Sequence, residues 1–541
     1  MISEMLQAAL ITILSYIDGN YTDSDKVIIE RELYKIVGTE NIFEFELKDS
    51  FDYEQTQSIL AKINEKESIR KHKGVYYTPK DVVDFIVVNS YKNVLNALTE
   101  TNISELNLSD LPFANICLDK IVFDPTCGAG EFLLSALEKK FDLLDLENRN
   151  ISPKLIHKVV STIKGNDINL ESIIITKIRL LLLVLARYGA ECVNNISIVF
   201  ENSFYCYDYI TDYINIKESF DIIIGNPPYV EQSKSGLKPK ISYGNIYANV
   251  LDNAAMQLKE GGVIGFIIPL SYISTPRMKK IRERLLNKLP EQYILNYSDR
   301  PDSLFISVHQ KLSILFGKNN QKIERIYTGG YTYWYKEERD KLFSSVKVFE
   351  NSFKNELFIP KIGTKFDALV YDKIQKQDVL LSDYFKNGEN KLYLNMRAAF
   401  WIKSFLNEHN GSEYKVISSD NKEHIYYLMC LFNSSLYWWY WICVSDCWHI
   451  TKKELNKFKV PKNVDFNKLK ELALNLESKL ESTKQYVGTR QTEYEYKHRL
   501  CLAEIHEIDD YINSVFGLSD NESNYIKNFR LRYRVGGGIK K

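Results

Sequence analysis

The chain has 541 residues, which is too long for one hydrophobic core and predicts two or three domains. Its composition is globular, with 45% hydrophobic and 26% charged residues, and its longest aliphatic run is too short to span a membrane. The formal net charge is zero, so a polyanion would have to be bound by locally positive surfaces. The eight cysteines lack paired C-x-x-C spacing and no signal peptide is visible, which favours a reduced, cytoplasmic protein without a metal site.

Residues 1–72 are predicted to form a small helical module at the start of the chain. Their apolar side chains recur at helical spacing, for example between Ile28 and Tyr34. The charged stretch at 64–73 is typical of a polar linker. The next domain is therefore expected to begin near residue 73.

The region 73–325 alternates short apolar runs with helical patterns. This alternation predicts a doubly wound, Rossmann-like α/β domain built on a parallel sheet, with an additional helix around 141–160. The predicted strands are Lys120–Phe123, Ile163–Asn166, Ile196–Val199, Phe220–Ile224, Val263–Ile268 and Leu312–Phe316.

A glycine-rich loop, D-P-T-C-G-A-G, follows the first predicted strand at residues 124–130. Gly128 and Gly130 allow a tight turn and let the backbone approach a ligand that a Cβ atom would repel. The loop lacks the G-x-G-x-x-G spacing of dinucleotide sites and the Gly-Lys-Ser/Thr of triphosphate loops. It therefore predicts a ligand of a different kind.

Asp167 stands at the end of the second predicted strand. A carboxylate in this position accepts hydrogen bonds from ribose hydroxyls in Rossmann-like sites. Because Asp167-Ile168-Asn169 also precedes a helix, an exposed helix N-cap is the alternative interpretation, and the two are compatible.

The tetrapeptide Asn226-Pro227-Pro228-Tyr229 follows the apolar run Phe220–Gly225, at the strand end where open α/β sheets place their chemistry. The two prolines hold the Asn226 side chain and the Pro227 carbonyl in a rigid geometry. Two acceptors beside an aromatic ring suit a base that carries a planar exocyclic amine. The acceptors would bind the amine while the base stacks on Tyr229. The alternative is a proline-rich turn after a core strand.

Residues 326–541 differ from the preceding region in amino-acid composition and contain all six tryptophans. They predict a second, mixed α+β domain that closes with a helical segment from about 465 to 516, with Leu469, Leu472, Leu476 and Leu480 on its buried side. Its aromatic residues are expected in the core. Lys452, Lys453, Lys457 and Lys459 are candidate phosphate contacts.

Three motifs in order carry a family resemblance. They are G-V-Y-Y-T-P at 74–79, D-P-x-C-G-x-G-x-F from Asp124, and F-D-x-I-x-G-N-P-P-Y ending at Tyr229. Together they resemble the gamma-order amino DNA methyltransferases that use S-adenosylmethionine, as in TaqI-like, type IIG and type I modification proteins. N-P-P-Y is typical of members that modify adenine N6. The resemblance implies a site-specific adenine methyltransferase acting on double-stranded DNA, and a C-terminal target-recognition domain at 326–541.

The resemblance also implies roles for individual residues. Asn226, Pro227, Pro228 and Tyr229 would form the catalytic motif, and Tyr229 would stack on a flipped adenine together with Phe305. For Phe305, ordinary core packing is the alternative. The implied cofactor-binding residues are Tyr77, Thr78, Asp124, Pro125, Cys127, Gly128, Gly130, Asp167, Ile168, Asn202, Ser203 and Asn226.

Asn202 departs from the family pattern, which usually has an aspartate on the amino group of the cofactor's adenine. A neutral amide bonds that amine more weakly than a carboxylate does. Glu201 is the alternative residue for this role.

Two other functions remain open for the chain. N-P-P-Y also serves enzymes that methylate glutamine in translation release factors, but those enzymes are shorter and lack the Y-T-P segment. The chain could instead be a partner-dependent modification subunit of a larger restriction or phage-defence complex, and its intact motif cores disfavour an inactive protein.

Overall fold

The computed structural model describes residues 3–39, 51–63, 77–147, 151–305, 309–320, 324–353, 355–488 and 493–536. Three parts of the sequence analysis lie outside these residues. They are residues 40–50 of the predicted N-terminal module, the linker at 64–73 and the first residues of the Y-T-P motif, 74–76.

Three helices form the N-terminal module, which confirms the prediction of helices there. Each begins at a side-chain cap, because Ser3, Thr22 and Asp52 accept hydrogen bonds from the first backbone amides. All three helices contact the long helix Leu170–Tyr188 of the next domain. The module is thus packed on the α/β domain. Its helices are Glu4–Asn20, Asp23–Val37 and Tyr53–Lys62.

A nine-stranded sheet forms the centre of the protein, in the order β3-β2-β1-β4-β5-β7-β6-β8-β9. The first five strands of this order are parallel, as predicted, whereas β7 runs antiparallel to both of its neighbours. The sheet is therefore mixed. Its strands are β1 (Val122–Asp124), β2 (Ile163–Asn166), β3 (Phe204–Tyr205), β4 (Phe220–Gly225), β5 (Leu258–Pro269), β6 (Glu291–Tyr297), β7 (Leu312–Lys318), β8 (Arg325–Thr332) and β9 (Phe349–Glu350).

Both faces of the sheet are buried, which confirms the doubly wound architecture. In β4, Ile223 belongs to one hydrophobic core while Ile222 and Ile224 belong to the other, as the two-residue period of a strand requires. The helices of this region are Lys80–Val94, Glu131–Leu146, Pro153–Val160, Leu170–Tyr188, Ala190–Val193, Ile196–Glu201, Gln232–Ser235, Ile246–Met256, Ser271–Ser274 and Lys279–Lys288.

The predicted strand at Ile196–Val199 is wrong, because these residues begin the helix Ile196–Glu201. Ile196 and Phe200, four residues apart, are buried, while Ile198 is exposed. The backbone amide and the hydroxyl of Ser197 both donate to the buried Glu32 carboxylate of the N-terminal module. That carboxylate at the helix start favours a helix over a strand.

The sheet continues past residue 325, since β8 and β9 extend it. The remaining C-terminal residues form helices and small antiparallel sheets, so their mixed α+β character is as predicted. One three-stranded sheet comprises Asn390–Asn395, Lys403–Phe405 and Tyr414–Ser419; shorter strand pairs are Val379–Leu380 with Lys459–Val460 and Gln485–Tyr486 with Tyr494–Glu495. The helices are Lys365–Gln375, Lys422–Asn433, Ser435–Val444, Lys452–Lys457, Phe466–Thr483, Leu502–Val515, Asp520–Asn528 and Leu531–Val535.

The aromatic residues of this region largely form a core, as the sequence predicts. Every residue of the helix Ser435–Val444 is buried, including Trp438, Trp439 and Trp441. The helical segment predicted from about 465 to 516 is confirmed in part. It forms two helices, Phe466–Thr483 and Leu502–Val515, with the strand pair Gln485–Tyr486 and Tyr494–Glu495 between them, and all four register leucines are buried in the first helix. Within the described part of the chain, no helix is both long and apolar enough to cross a membrane.

Candidate active site

The candidate site lies where the strand order of the sheet reverses. β1 and β4 are neighbours, but the chain continues from β1 towards β2 and β3 on one side and from β4 to β5 on the other. The loop at 124–130 and the tetrapeptide at 226–229 leave the same edge of the sheet at this point. Open α/β sheets bind ligands in the crevice at such a switch point.

The glycine-rich loop is held in place by β2 and by the helix that follows it. Asn166 Nδ2 donates to the Pro125 carbonyl at 2.9 Å, and the Cys127 amide donates to the Asn166 carbonyl at 2.9 Å. Gly130 has φ +86°, and a Cβ atom there would lie 2.6 Å from Thr176 Cγ2. The second glycine of the loop is therefore required both by its backbone conformation and by close packing.

Asp167 and the glycine-rich loop are in direct contact. The Gly128 amide donates to Asp167 Oδ2 at 3.0 Å, and the Asn169 amide donates to Asp167 Oδ1 at 2.9 Å. The carboxylate thus links the loop to the segment before the next helix. The N-cap of that helix is Asn169, whose Oδ1 accepts from the Glu171 amide at 3.0 Å, so the alternative interpretation of Asp167 as the N-cap is wrong. Ile168 beside it is 70% exposed, an apolar side chain turned outward at the edge of the sheet.

Asp124 is fully buried at the end of β1. Burial, and to a smaller extent the negative charge of Asp167, raises the pKa of Asp124 to about 8, against the hydrogen bond from the Thr126 amide. A Cβ atom at Gly225 would lie 2.7 Å from Asp124 Oδ1. The Asp124 carboxyl group therefore packs directly against the residue that precedes Asn226.

Asn226 is connected to the Y-T-P segment. Its Nδ2 donates to Thr78 Oγ1 at 3.0 Å, and Thr78 is buried just ahead of the helix Lys80–Val94. The Nδ2 end of the amide therefore faces Thr78. The Oδ1 end, an acceptor, is directed away from it.

Tyr229 is anchored to the neighbouring strand. Its hydroxyl donates to the Ile267 carbonyl of β5 at 2.9 Å, and its ring meets Tyr247 edge-on with centroids 6.4 Å apart. The tyrosine of the tetrapeptide therefore has a fixed position beside Asn226.

Phe305 is not part of the candidate site around Asn226 and Tyr229. It is 1% exposed and belongs to the hydrophobic core on one side of the sheet. The structure therefore favours core packing, the alternative interpretation, over a stacking surface.

Asn202 also lies apart from the group around Asp167. It is an exposed residue at the end of the helix Ile196–Glu201, and its Nδ2 donates to the Ile198 carbonyl at 3.4 Å. Ser203 is buried and donates to the Val199 carbonyl. Both residues precede β3, whereas Asp167 follows β2 and Asn226 follows β4. The expectation that Asn202 faces the cofactor's adenine does not fit this position.

Cys206 and Tyr207 occupy the positions that follow β3. Cys206 Sγ lies 3.7 Å from the Ile168 carbonyl, and the Tyr207 amide donates to Asn166 Oδ1 at 3.0 Å. The sequence analysis missed these residues because it placed β3 at Ile196–Val199. The end of the true strand is the signal that would have identified them.

Two of the four lysines predicted as candidate phosphate contacts donate hydrogen bonds to backbone carbonyls. Lys453 donates to the carbonyls of Ser274 and Val444, and Lys459 donates to the Gln375 carbonyl. Of the four candidate phosphate contacts, these two have structural partners, whereas Lys452 and Lys457 are exposed.

Comparisons with known proteins show similarity to restriction-modification proteins. The model of the Eco57I restriction-modification methylase family matches residues 161–302 of this chain. The Type II methyltransferase M.BanIII of Aneurinibacillus aneurinilyticus is 28% identical over 302 residues, covering 52% of this chain and 45% of that protein. A putative type II restriction enzyme and methyltransferase of Methanocaldococcus jannaschii is 24% identical over 206 residues, covering 32% of this chain and 17% of that protein. The matches thus span less than half the length of either relative.

One solved structure shares the fold over almost the whole chain. The Type IIL restriction-modification enzyme MmeI, determined in complex with DNA, aligns with a TM-score of 0.53 at 13% identity. The alignment covers 98% of this chain and 96% of that one. The likeness therefore includes the N-terminal helices and the C-terminal region as well as the central sheet.

Proposed function

We propose that this protein is a site-specific DNA methyltransferase that transfers a methyl group from S-adenosylmethionine to N6 of adenine. The observation that carries the proposal is the hydrogen bond from Asn226 to Thr78 at the switch point of the sheet. It joins the segment that would cover the methionine moiety to the motif that would hold the target base. A transfer reaction requires those two ligands side by side.

The residues around the glycine-rich loop fit S-adenosylmethionine. Asp167 supplies acceptors for ribose hydroxyls, Ile168 supplies an exposed apolar surface for the adenine ring, and the buried Asp124 supplies an acceptor for the ammonium group. Tyr77 and Thr78 close the methionine end, while Gly128 and Gly130 let the backbone approach. When bound, S-adenosylmethionine supplies an electrophilic methyl group.

The tetrapeptide would activate the target nitrogen. Adenine N6 is a poor nucleophile because its lone pair is delocalised into the ring. Asn226 Oδ1 and the Pro227 carbonyl would accept its two N–H groups and favour the pyramidal nitrogen that forms during attack. Pro228 keeps this backbone rigid, and Tyr229 would stack on the base. The proton that N6 loses passes to water, because neither amide acceptor is basic.

Double-stranded DNA is the proposed partner, with the target adenine flipped out of the helix. MmeI, which shares the fold, was determined in complex with DNA, and both curated relatives are described as methyltransferases. A cytoplasmic restriction-modification or phage-defence setting, with or without a partner subunit, is part of the proposal. Unstacking a base costs a few kcal/mol, which stacking on an aromatic ring largely offsets.

Base-resolution mapping of adenine methylation in cellular DNA tests this proposal. Cells that express the chain should carry N6-methyladenine at one recurring sequence, and cells that express the Asn226→Ala variant should lack it. Labelled methyl groups found in protein or RNA but not in DNA would contradict the proposal.

A further inference from the structure

A cleft separates the central sheet from the loops of the C-terminal region. Its volume is about 370 Å³, within the range of small-ligand pockets, roughly 300–1,000 Å³. One wall includes Asp299 and Lys311, and the other includes Arg397 and Trp448. We call it the Trp448 cleft.

The Trp448 cleft opens on the same edge of the sheet as Asn226. Asp299 follows β6 and Lys311 precedes the antiparallel β7, so both stand at the edge where β4 ends. Three strand spacings separate β4 from β6, which corresponds to about 14 Å. A nucleic acid held at Asn226 would therefore reach the cleft within a few nucleotides.

Trp448 is unlike the buried tryptophans of the chain. It is 43% exposed, whereas Trp334, Trp438, Trp439 and Trp441 are fully buried. Lys311 Nζ lies 4.0 Å from the centre of the Trp448 ring and covers part of it. The same Nζ pairs with Asp299 Oδ1 at 3.2 Å. The contact with Lys311, which Asp299 holds in place, fixes the indole ring of Trp448. The exposed part of the ring is therefore a preorganised stacking surface.

Asp299 provides a second, independent observation. It is 2% exposed, and its Oδ2 accepts no hydrogen bond from any residue in the described part of the chain. Buried carboxylate oxygens rarely lack a donor, because desolvating them is costly. Arg300 and Arg397, both exposed, also line the cleft, where Arg397 pairs with Glu413 at 3.3 Å. An acceptor, an aromatic surface and two cations are the groups that recognise an amine-bearing nucleotide.

We infer that the Trp448 cleft binds one unstacked nucleotide of the substrate DNA near the methylated adenine. The base stacks on Trp448, its exocyclic amino group donates to Asp299, and its phosphate lies near Arg300 and Arg397. This inference rests on the proposed function. It makes the cleft a specificity site that favours adenine, cytosine and guanine over thymine, which has no exocyclic amine.

Tryptophan fluorescence of the full-length protein tests the inference, with single-stranded dA, dC and dT dodecamers as probes. The wild type should show quenching with all three and bind dA and dC more tightly than dT. Trp448→Phe should keep the affinity and lose most of the quenching, while Trp448→Ala should bind about tenfold more weakly. Asp299→Asn, which leaves only a neutral acceptor, should weaken the preference over dT. Phe113→Ala, which removes a 75% exposed ring elsewhere on the surface, is the matched control and should change nothing.

Methyl transfer to duplex DNA, assayed on the same preparations, separates the two proposals. Equal dodecamer affinities for the wild type, Trp448→Ala and Asp299→Asn, with methyl transfer intact, would overturn the inference alone. Quenching without any methyl transfer would count against the proposed function while supporting nucleotide binding in the cleft. Circular dichroism spectra like that of the wild type would show that the variants are folded.

Discussion

Asn226 Nδ2 donates a hydrogen bond to Thr78 Oγ1 at 3.0 Å, joining two motifs that are 148 positions apart in the chain. In this arrangement the Nδ2 end of the amide faces Thr78, and Oδ1, the proposed acceptor for the target amine, is at the other end. Thr78 is thus expected to position a catalytic side chain in addition to lining the cofactor pocket.

Replacing Thr78 tests this positioning role. Thr78→Val removes the acceptor at nearly constant volume and should lower kcat for methyl transfer about two- to tenfold, the equivalent of one hydrogen bond. Thr78→Ser keeps the hydroxyl and should stay near the wild type. Single-turnover kinetics at saturating S-adenosylmethionine measures the effect. A Thr78→Val variant with the wild-type kcat would show that the bond does not orient Asn226.

The raised pKa of Asp124 predicts a pH-dependent stability of the protein without cofactor. The folded state holds a proton on this carboxyl up to about pH 8, whereas the unfolded state releases it near pH 4. The folded state therefore binds more protons between these values. The contribution of protonated Asp124 to the free energy of unfolding is fully present below about pH 4 and is lost as the pH rises through about 8.

Asp124→Asn should remove this pH dependence. Chemical denaturation between pH 5 and 8 should give a free energy of unfolding that falls more steeply for the wild type than for the variant. Parallel curves would contradict the pKa assignment. Because a cationic ligand favours the carboxylate, cofactor binding at pH 7 should also release a proton, which calorimetry in two buffers of different ionisation enthalpy detects.

Gly130 and Gly128 offer a matched pair of substitutions in one loop. Both have positive φ, at +86° and +53°, but only at Gly130 would a Cβ atom collide, with Thr176 Cγ2 at 2.6 Å. Gly128→Ala should therefore cost about 1–2 kcal/mol of backbone strain. Gly130→Ala should cost a further 1–3 kcal/mol, roughly, for overpacking. Denaturation of both variants without cofactor measures the difference, and equal losses would mean that Thr176 moves aside.

Arg179 connects the N-terminal module to the glycine-rich loop. Its Nη1 donates to the Ala129 carbonyl at 2.7 Å and pairs with Glu131, while its Nε donates to Gln57 Oε1 at 2.9 Å. Arg179→Met should lower the free energy of unfolding by about 3–5 kcal/mol, because it leaves a largely buried carboxylate without its cation.

Arg187 on the same helix provides the control. Its ion pairs with Asp142 and Asp145 are partly exposed, so Arg187→Met should cost less than about 1 kcal/mol. Equilibrium denaturation in urea compares the two variants. Similar losses for both would indicate that the buried contacts of Arg179 add nothing beyond a surface pair.

The parallel half of the sheet and the switch-point site could be predicted because their signals are local. An apolar run followed by glycine or proline marks a strand end, and strand ends meet at one edge of the sheet. Asp167 and Asn226 are therefore predicted from such local signals. The roles of Asp124, Thr78 and Tyr77 follow from the family resemblance instead.

The remaining features depend on contacts that no local pattern contains. Ile196–Val199 alternates like a strand, but Glu32 from another module accepts hydrogen bonds at its start and the segment becomes a helix. Phe305 precedes an apolar strand in either interpretation, and only the packing shows that it is buried. The contacts of Lys311 with Asp299 and Trp448 likewise depend on the tertiary fold, which brings distant loops together.

Formation of N6-methyladenine in DNA is the most direct test of the central claim. Purified protein, S-adenosylmethionine and duplex DNA are incubated, and the digested nucleosides are resolved by mass spectrometry. The wild type should produce N6-methyladenine, and Asn226→Ala should produce none while retaining nearly the wild-type affinity for S-adenosylmethionine; Asp167→Ala should instead weaken that affinity. Undiminished N6-methyladenine from Asn226→Ala, or methylation of a different atom by the wild type, would contradict the assignment of the site.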